Sequence, residues 1–253
     1  MTEVLLLGRR SVREVLRYPE ATIPTLFIPL FFLAVNIGQV QKTFPADSTP
    51  FLHGQSYVAF QMPVSLMFAV ATATTGLALV TEIDSGYFDK LLVAPIRRTS
   101  LILGRLAADL VRGLAASVVV LLVGIIIFGM HVEAGPAGAV LVVLLAACFG
   151  VAYAGFGILV ALHTRNVQAT NTSFLLFFPL LFLTPNFVPF DRLSPLMETL
   201  ARINPVSYVI VGIRSLIIDG WVVDKILVCI GVIVVMGLVL IGLSLRAIKT
   251  YDR

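Results

Sequence analysis

The sequence predicts an all-α membrane protein, and three observations carry that prediction. Of its 253 residues, 58% are hydrophobic and 13% are charged, with a mean hydropathy of +1.00, so most of the chain cannot face water. Six stretches, approximately 21–40, 57–81, 113–130, 137–162, 170–190 and 226–245, reach the roughly 20 apolar residues a helix needs to cross about 30 Å of hydrocarbon. Their apolar runs are continuous, as in Ile-Leu-Val-Cys-Ile-Gly-Val-Ile-Val-Val at 226–235, where a membrane barrel would alternate apolar and polar residues. A single transmembrane domain over 1–253 follows.

The elements can be justified in chain order. Residues 1–20 form a leader in which Leu5, Val12 and Leu16 share one helical face and Arg9, Arg13 and Arg17 repeat every four residues on another, with Glu14 placed to pair with Arg10. That pattern predicts an amphipathic helix lying on the membrane surface. A cleaved secretory signal is disfavoured, because the first apolar stretch begins only after about 20 residues, beyond a short charged lead. Pro24 and Pro29 interrupt the first stretch, and Pro179 and Pro185 the fifth. Neighbouring helices must satisfy the carbonyls those prolines free.

Between the second and third stretches lies the long polar interruption, residues 82–100. Gly86 frees the backbone to turn, Tyr87 to Ala94 has the length of a two-turn helix, and Pro95 ends it. The apolar pairs Tyr87/Leu91 and Phe88/Leu92 are spaced i,i+4, with Asp84, Asp89, Lys90, Arg97 and Arg98 supplying charge around them. Thr99 and Ser100 can cap the next helix. A short two-faced helix of this kind fits a protein groove and fits a lipid surface equally. Farther on, Asp191-Arg192-Leu-Ser-Pro195 can start a helix that Asn204-Pro205 interrupts, so residues 191–218 predict two short helices dipping into the outer leaflet, 206–218 being too few to cross.

Lys and Arg fix the expected orientation. With the N-terminus inside, thirteen of the eighteen basic residues fall on the cytoplasmic side, leaving Lys42, Arg192, Arg202, Arg214 and Lys225 outside. Both termini are then cytoplasmic. The net charge of +4 follows from this bias, and no basic patch with interleaved aromatics suggests a nucleic-acid partner. Cys148 and Cys229 lie mid-span, far apart, without neighbouring His, and His53, His131 and His163 are too widely spaced for a local metal motif. The cysteines read as small buried hydrophobes, and no metal site or catalytic group is predicted. Ala146, Gly150 and Ala154 form a small-residue stripe suited to close helix packing.

Polar side chains inside spans are costly in lipid and tend to face a cavity or another helix. Asn36 and Gln39 in the first stretch, Gln61, Ser65 and Thr72 in the second, and Asn171, Phe174, Phe178 and Asn186 in the fifth are the candidate path lining. Interhelical hydrogen bonding for the polar residues and lipid contact for the phenylalanines is the competing account.

The run Glu82, Gly86, Leu91-Leu92, Ala94-Pro95, Arg97-Arg98 resembles the cytoplasmic coupling-helix region of ABC-2 type transporter permeases. The resemblance extends to the leader, Arg10 to Pro19, to the stretch from Leu193 through Asn204-Pro205-Val-Ser-Tyr208 to Arg214, and so to nearly the whole chain. Within that family the daunorubicin-resistance type of drug and lipid exporter looks closest. One departure is that the loop opens Glu82-Ile-Asp84-Ser, with fewer charges than the acidic-basic run common in the family.

This resemblance implies a six-helix permease of the bacterial plasma membrane that dimerises with a second copy or a related permease. It couples through Glu82, Asp84, Gly86, Tyr87, Phe88, Leu91, Leu92, Pro95, Arg97 and Arg98 to two cytoplasmic ATPase subunits, and exports an amphipathic drug or lipid. The segment 191–218 closes the outer end of the path. No Gly-x-x-x-x-Gly-Lys-Ser/Thr loop occurs, so ATP and Mg2+ are expected in the partner subunit, with no cofactor on this chain. A polysaccharide or glycolipid exporter and a non-ATPase channel or scaffold are the alternatives.

Overall fold

A computed structural model describes residues 19–72, 76–93 and 97–251, apart from the side chains of 19–25, 77 and 172–174. The amphipathic leader, Pro95 and the side chain of Phe174 therefore lie outside the described residues. Every regular element within them is helical: α1 (Pro19–Val40), α2 (Tyr57–Thr72), α3 (Gly76–Asp84), α4 (Tyr87–Val93), α5 (Arg98–Ile126), α6 (Gly135–Thr164), α7 (Val167–Leu175), α8 (Phe177–Phe182), α9 (Pro195–Ile203), α10 (Pro205–Ile218) and α11 (Val223–Lys249), with two short 3-10 turns.

Three helices, α5, α6 and α11, are long and apolar enough to cross a membrane, and α9 with α10, bent by 89°, make a fourth crossing if the pair is one span. α2 sits at the centre. Every residue from Tyr57 to Ala71 is buried, as expected of a helix apolar all round. α11 is peripheral, burying 17% of its apolar window against 56% for α6.

Small residues let these helices approach. A Cβ added to Gly150 on α6 would lie 3.0 Å from Val70 Cβ on α2, and one on Gly155 would lie 3.0 Å from the Ile241 backbone N on α11. At that second crossing Ser244 Oγ donates to the Gly155 carbonyl at 2.6 Å. Ala146 and Ala154, with Gly150 between them, are fully buried, so the stripe packs helices as its composition predicts.

Two apolar clusters result. The larger surrounds α2 with parts of α1, α5, α6, α8, α10 and α11. The smaller joins Leu79 and Val80 of α3, Phe88 of α4, Leu101, Ile102 and Leu106 of α5, Ala161 and Leu162 of α6, and Ile248 of α11, with Tyr251 just beyond that helix. It marks the end of the molecule that carries the 82–98 loop, the loop end.

Three expectations change. The fifth apolar stretch is not one helix to residue 190: α7 and α8 follow one another, and helix stops at Phe182 before Pro185, where a proline cannot supply the next amide and disfavours helix in the residue before it. Cys148 is exposed on α6, while Cys229 is buried as expected. Arg214, counted among loop charges, is buried within α10.

Candidate functional site

At the loop end, α3 closes at Asp84, the chain reverses through Gly86 at φ +70°, and α4 follows as a separate two-turn helix. A positive φ is tolerated by glycine without a Cβ clash. Glu82 accepts a charge-assisted hydrogen bond from the Arg105 guanidinium, tying α3 to α5 across the loop. Asp84, Asp89, Lys90 and Arg97 are exposed, and Arg98 is half-buried.

The apolar residues of α4 divide. Tyr87 and Val93 are exposed, Leu91 and Leu92 are partly buried, and Phe88 is fully buried inside the chain. The expectation that Phe88 enters a partner's groove is therefore corrected: its pocket is intramolecular, because the i,i+4 face of α4 turns onto α5, α6 and the chain end.

Tyr251 forms the floor of that pocket. Its ring meets Phe88 edge-to-face at 5.6 Å between centroids, and the Arg165 guanidinium carbon lies 4.2 Å from the ring centroid. Arg98 Nη1 donates to its carbonyl at 3.0 Å. Burial pushes its phenol above the ordinary range, opposed by Arg165 and reinforced by Asp89, so the ring is neutral at physiological pH. Sequence reading missed this role, since Tyr251 is a lone aromatic in the polar tail after α11 and nothing local distinguishes it.

A second feature lies in the body of the chain. Pro29, Phe32 and Asn36 of α1, Val64, Ser65 and Phe68 of α2, Phe178, Leu181 and Phe182 of α8, and Asn186 line a cleft of about 330 Å³ including its open mouth. Phe68 is edge-on to both Phe32 and Phe178, at 5.7 and 5.1 Å. Asn186 is buried, and its Oδ1 has no protein donor among the described residues. Gln61, one turn before Ser65 on α2, is buried, and among the described residues neither of its amide atoms has a hydrogen-bond partner.

Of the candidate path residues, Asn36, Ser65, Phe178 and Asn186 are thus gathered into one cleft, with Gln61 on the same helical face as Ser65. Gln39 and Asn171 are exposed elsewhere. Thr72 hydroxyl donates to the Ala69 carbonyl within its own helix at 2.8 Å.

The 191–218 stretch turns on Asn204. Its Oδ1 accepts from the Val206 amide at 3.0 Å, capping α10, and its Nδ2 donates to the carbonyls of Leu180 and Leu183. Arg214 then projects from α10 into the body, donating from Nε to the Phe60 carbonyl at 3.0 Å and from Nη1 to the Pro185 carbonyl at 2.9 Å, with its carbon 3.5 Å from the Phe60 ring centroid. The sequence signal was a single charge within an otherwise apolar run.

Helices long and apolar enough to cross a membrane, with a short two-faced helix outside the long spans, fit the class of membrane transport permeases. The chain belongs to the ABC-2 type transporter family, whose model matches residues 2–218; permeases of this family work with a separate ATPase. The chain is 27% identical over 210 residues to the daunorubicin resistance ABC transporter permease protein DrrB1 of Streptomyces coeruleorubidus, covering 82% of this chain and 72% of that one. It is 27% identical over 215 residues to the inner membrane transport permease YadH of Escherichia coli K12, covering 80% and 78%. It is 25% identical over 161 residues to the probable doxorubicin resistance ABC transporter permease protein DrrC of Mycobacterium tuberculosis, covering 63% and 58%.

Proposed function

We propose that the chain is the transmembrane subunit of an ATP-driven exporter that moves an amphipathic drug or lipid out of the bacterial cytoplasm or inner leaflet. It works as a dimer, with a second copy or a related permease, on two ATPase subunits that carry ATP and Mg2+. On this reading there are six membrane segments, counting α1, α2 with α3, and α7 with α8 beside the three long helices; an even number keeps both termini on one side, and the excess of Lys and Arg there assigns that side to the cytoplasm. The pair α9 and α10 is re-entrant at the outer face.

The observation that carries this reading is α4, a separate helix with one face sunk into the chain and Tyr87, Asp89, Lys90 and Val93 left exposed. Exposed apolar and charged groups on a short helix suit a partner groove, and ATPase movement there would switch the path between its two openings. The cleft sets the phenyl rings of Phe32, Phe68 and Phe178 beside Asn36, Ser65 and Asn186, a mixed apolar and polar lining that suits an amphipathic cargo. Relatives named for daunorubicin and doxorubicin resistance support the same cargo class.

The test is co-purification with the ATPase encoded beside it, followed by ATP hydrolysis in liposomes with and without added daunorubicin or lipid. Replacing Asn36 or Asn186 with Leu should change cargo-stimulated hydrolysis while basal hydrolysis and yield hold. Loss of yield alone in both variants would assign these residues to packing, and failure to capture any ATPase would overturn the proposal.

A further inference from the structure

Building on the reading of α4 as the ATPase-docking helix, we infer that Tyr251 is the positioning residue through which movement of α4 reaches the membrane helices. α4 has seven residues and one fully buried side chain, Phe88. A helix that short does not hold itself in place, so its position is set by what Phe88 packs against, with Leu91 and Leu92 partly buried beside it.

Phe88 rests edge-on against Tyr251, at 5.6 Å between ring centroids. Tyr251 is 5% exposed and is fixed from two other elements. The first turn of α5 holds its carbonyl through Arg98 at 3.0 Å, and the segment after α6 lays the Arg165 guanidinium over its ring at 4.2 Å. Ile248, one turn earlier on α11, and Leu101, Ile102, Ala161 and Leu162 close the same cluster. Three long apolar helices thus meet at one ring that bears on α4. Packed interiors are stiff and transmit displacement rather than absorbing it, so a push on the exposed face of α4 passes through Phe88 and Tyr251 into α5, α6 and α11 together.

The experiment uses the permease–ATPase complex in liposomes, with Cys148 and Cys229 replaced by alanine and a single cysteine at Asn36 reporting from the cleft. Its rate of labelling by a thiol reagent is measured without nucleotide and with ATP plus vanadate, alongside ATP hydrolysis. Tyr251→Ala should still bind the ATPase and hydrolyse ATP but lose at least five-fold of the nucleotide-dependent change in labelling. Tyr251→Phe keeps ring and carbonyl and should behave as the parent. Arg165→Gln, a change at an exposed side chain, should lose about two-fold, as a weakened clamp predicts, and decides the matter if Tyr251→Ala does not assemble.

A purely packing role would lower yield in step with hydrolysis and leave the labelling change per ATP intact, which overturns the inference. So would parental responses in Tyr251→Ala, or in Arg165→Gln where the alanine variant fails to assemble. If the parent complex captures no ATPase or shows no nucleotide-dependent labelling, the underlying reading of α4 fails instead.

Discussion

Arg214 is held in an apolar helix by two carbonyls and a phenyl face; among the described residues no carboxylate lies within ion-pair distance of it. Cutting back its fork orphans buried carbonyls, each costing about 1–3 kcal/mol. Arg214→Leu should therefore lower the thermal midpoint of the detergent-purified protein by the equivalent of about 2 kcal/mol or more, although it removes a charge. Arg214→Lys, with a single nitrogen in place of the fork, should recover only part of the loss. Asn204→Ala removes the α10 cap and two donations, one to Leu180 in α8 and one to Leu183 just after it, and a cost of about 1–2 kcal/mol is expected for the cap alone. Equal midpoints for parent and variants would mean that neither residue organises this turn.

At the scale of the element, α4 separates two effects that its sequence merges. Phe88 is fully buried, and truncating such a ring typically costs about 3–5 kcal/mol, so Phe88→Ala should reduce folded yield before any partner is added. Tyr87→Ala with Val93→Ala touches only exposed side chains. That variant should fold and insert as the parent but capture less ATPase, with each anchor at an interface centre worth about 2 kcal/mol or more. A pull-down at matched permease concentration decides it, and undiminished capture by the double variant would remove the docking role from this face. Charge reversal at Arg97, which is exposed, should act more mildly and mainly through salt dependence, as rim charges do.

For the whole molecule, the charge count and the shared loop end make one topological statement. Tyr251 and the 82–98 loop meet in one cluster, so Ser85 and Thr250 lie at one end of the chain. Ser48 precedes α2 at its opposite end, where Gln55 Nε2 donates to the Ile217 carbonyl at 2.9 Å. Single cysteines at Ser85 and Thr250 should resist an impermeant thiol reagent in intact cells, and one at Ser48 should react. Labelling of Ser85→Cys from outside would overturn the orientation.

Composition and the unbroken apolar runs sufficed to make this chain a helical membrane protein, because the cost of bare backbone in hydrocarbon admits few other solutions. The α5, α6 and α11 spans were legible for the same reason, as were the Gly86 turn, the separate helix after it and the break at Asn204-Pro205, which are local consequences of residue type. Which side of α4 faces inward, that Asn36, Ser65, Phe178 and Asn186 share a cleft while Gln39 and Asn171 do not, that Arg214 is buried, and that a tyrosine near the end of α11 supports the loop were decided only by tertiary structure. Each depends on residues 29 to 163 positions apart in the chain being brought together. Neither periodicity nor spacing encodes that distance; the packing of α2, α6 and α11 does.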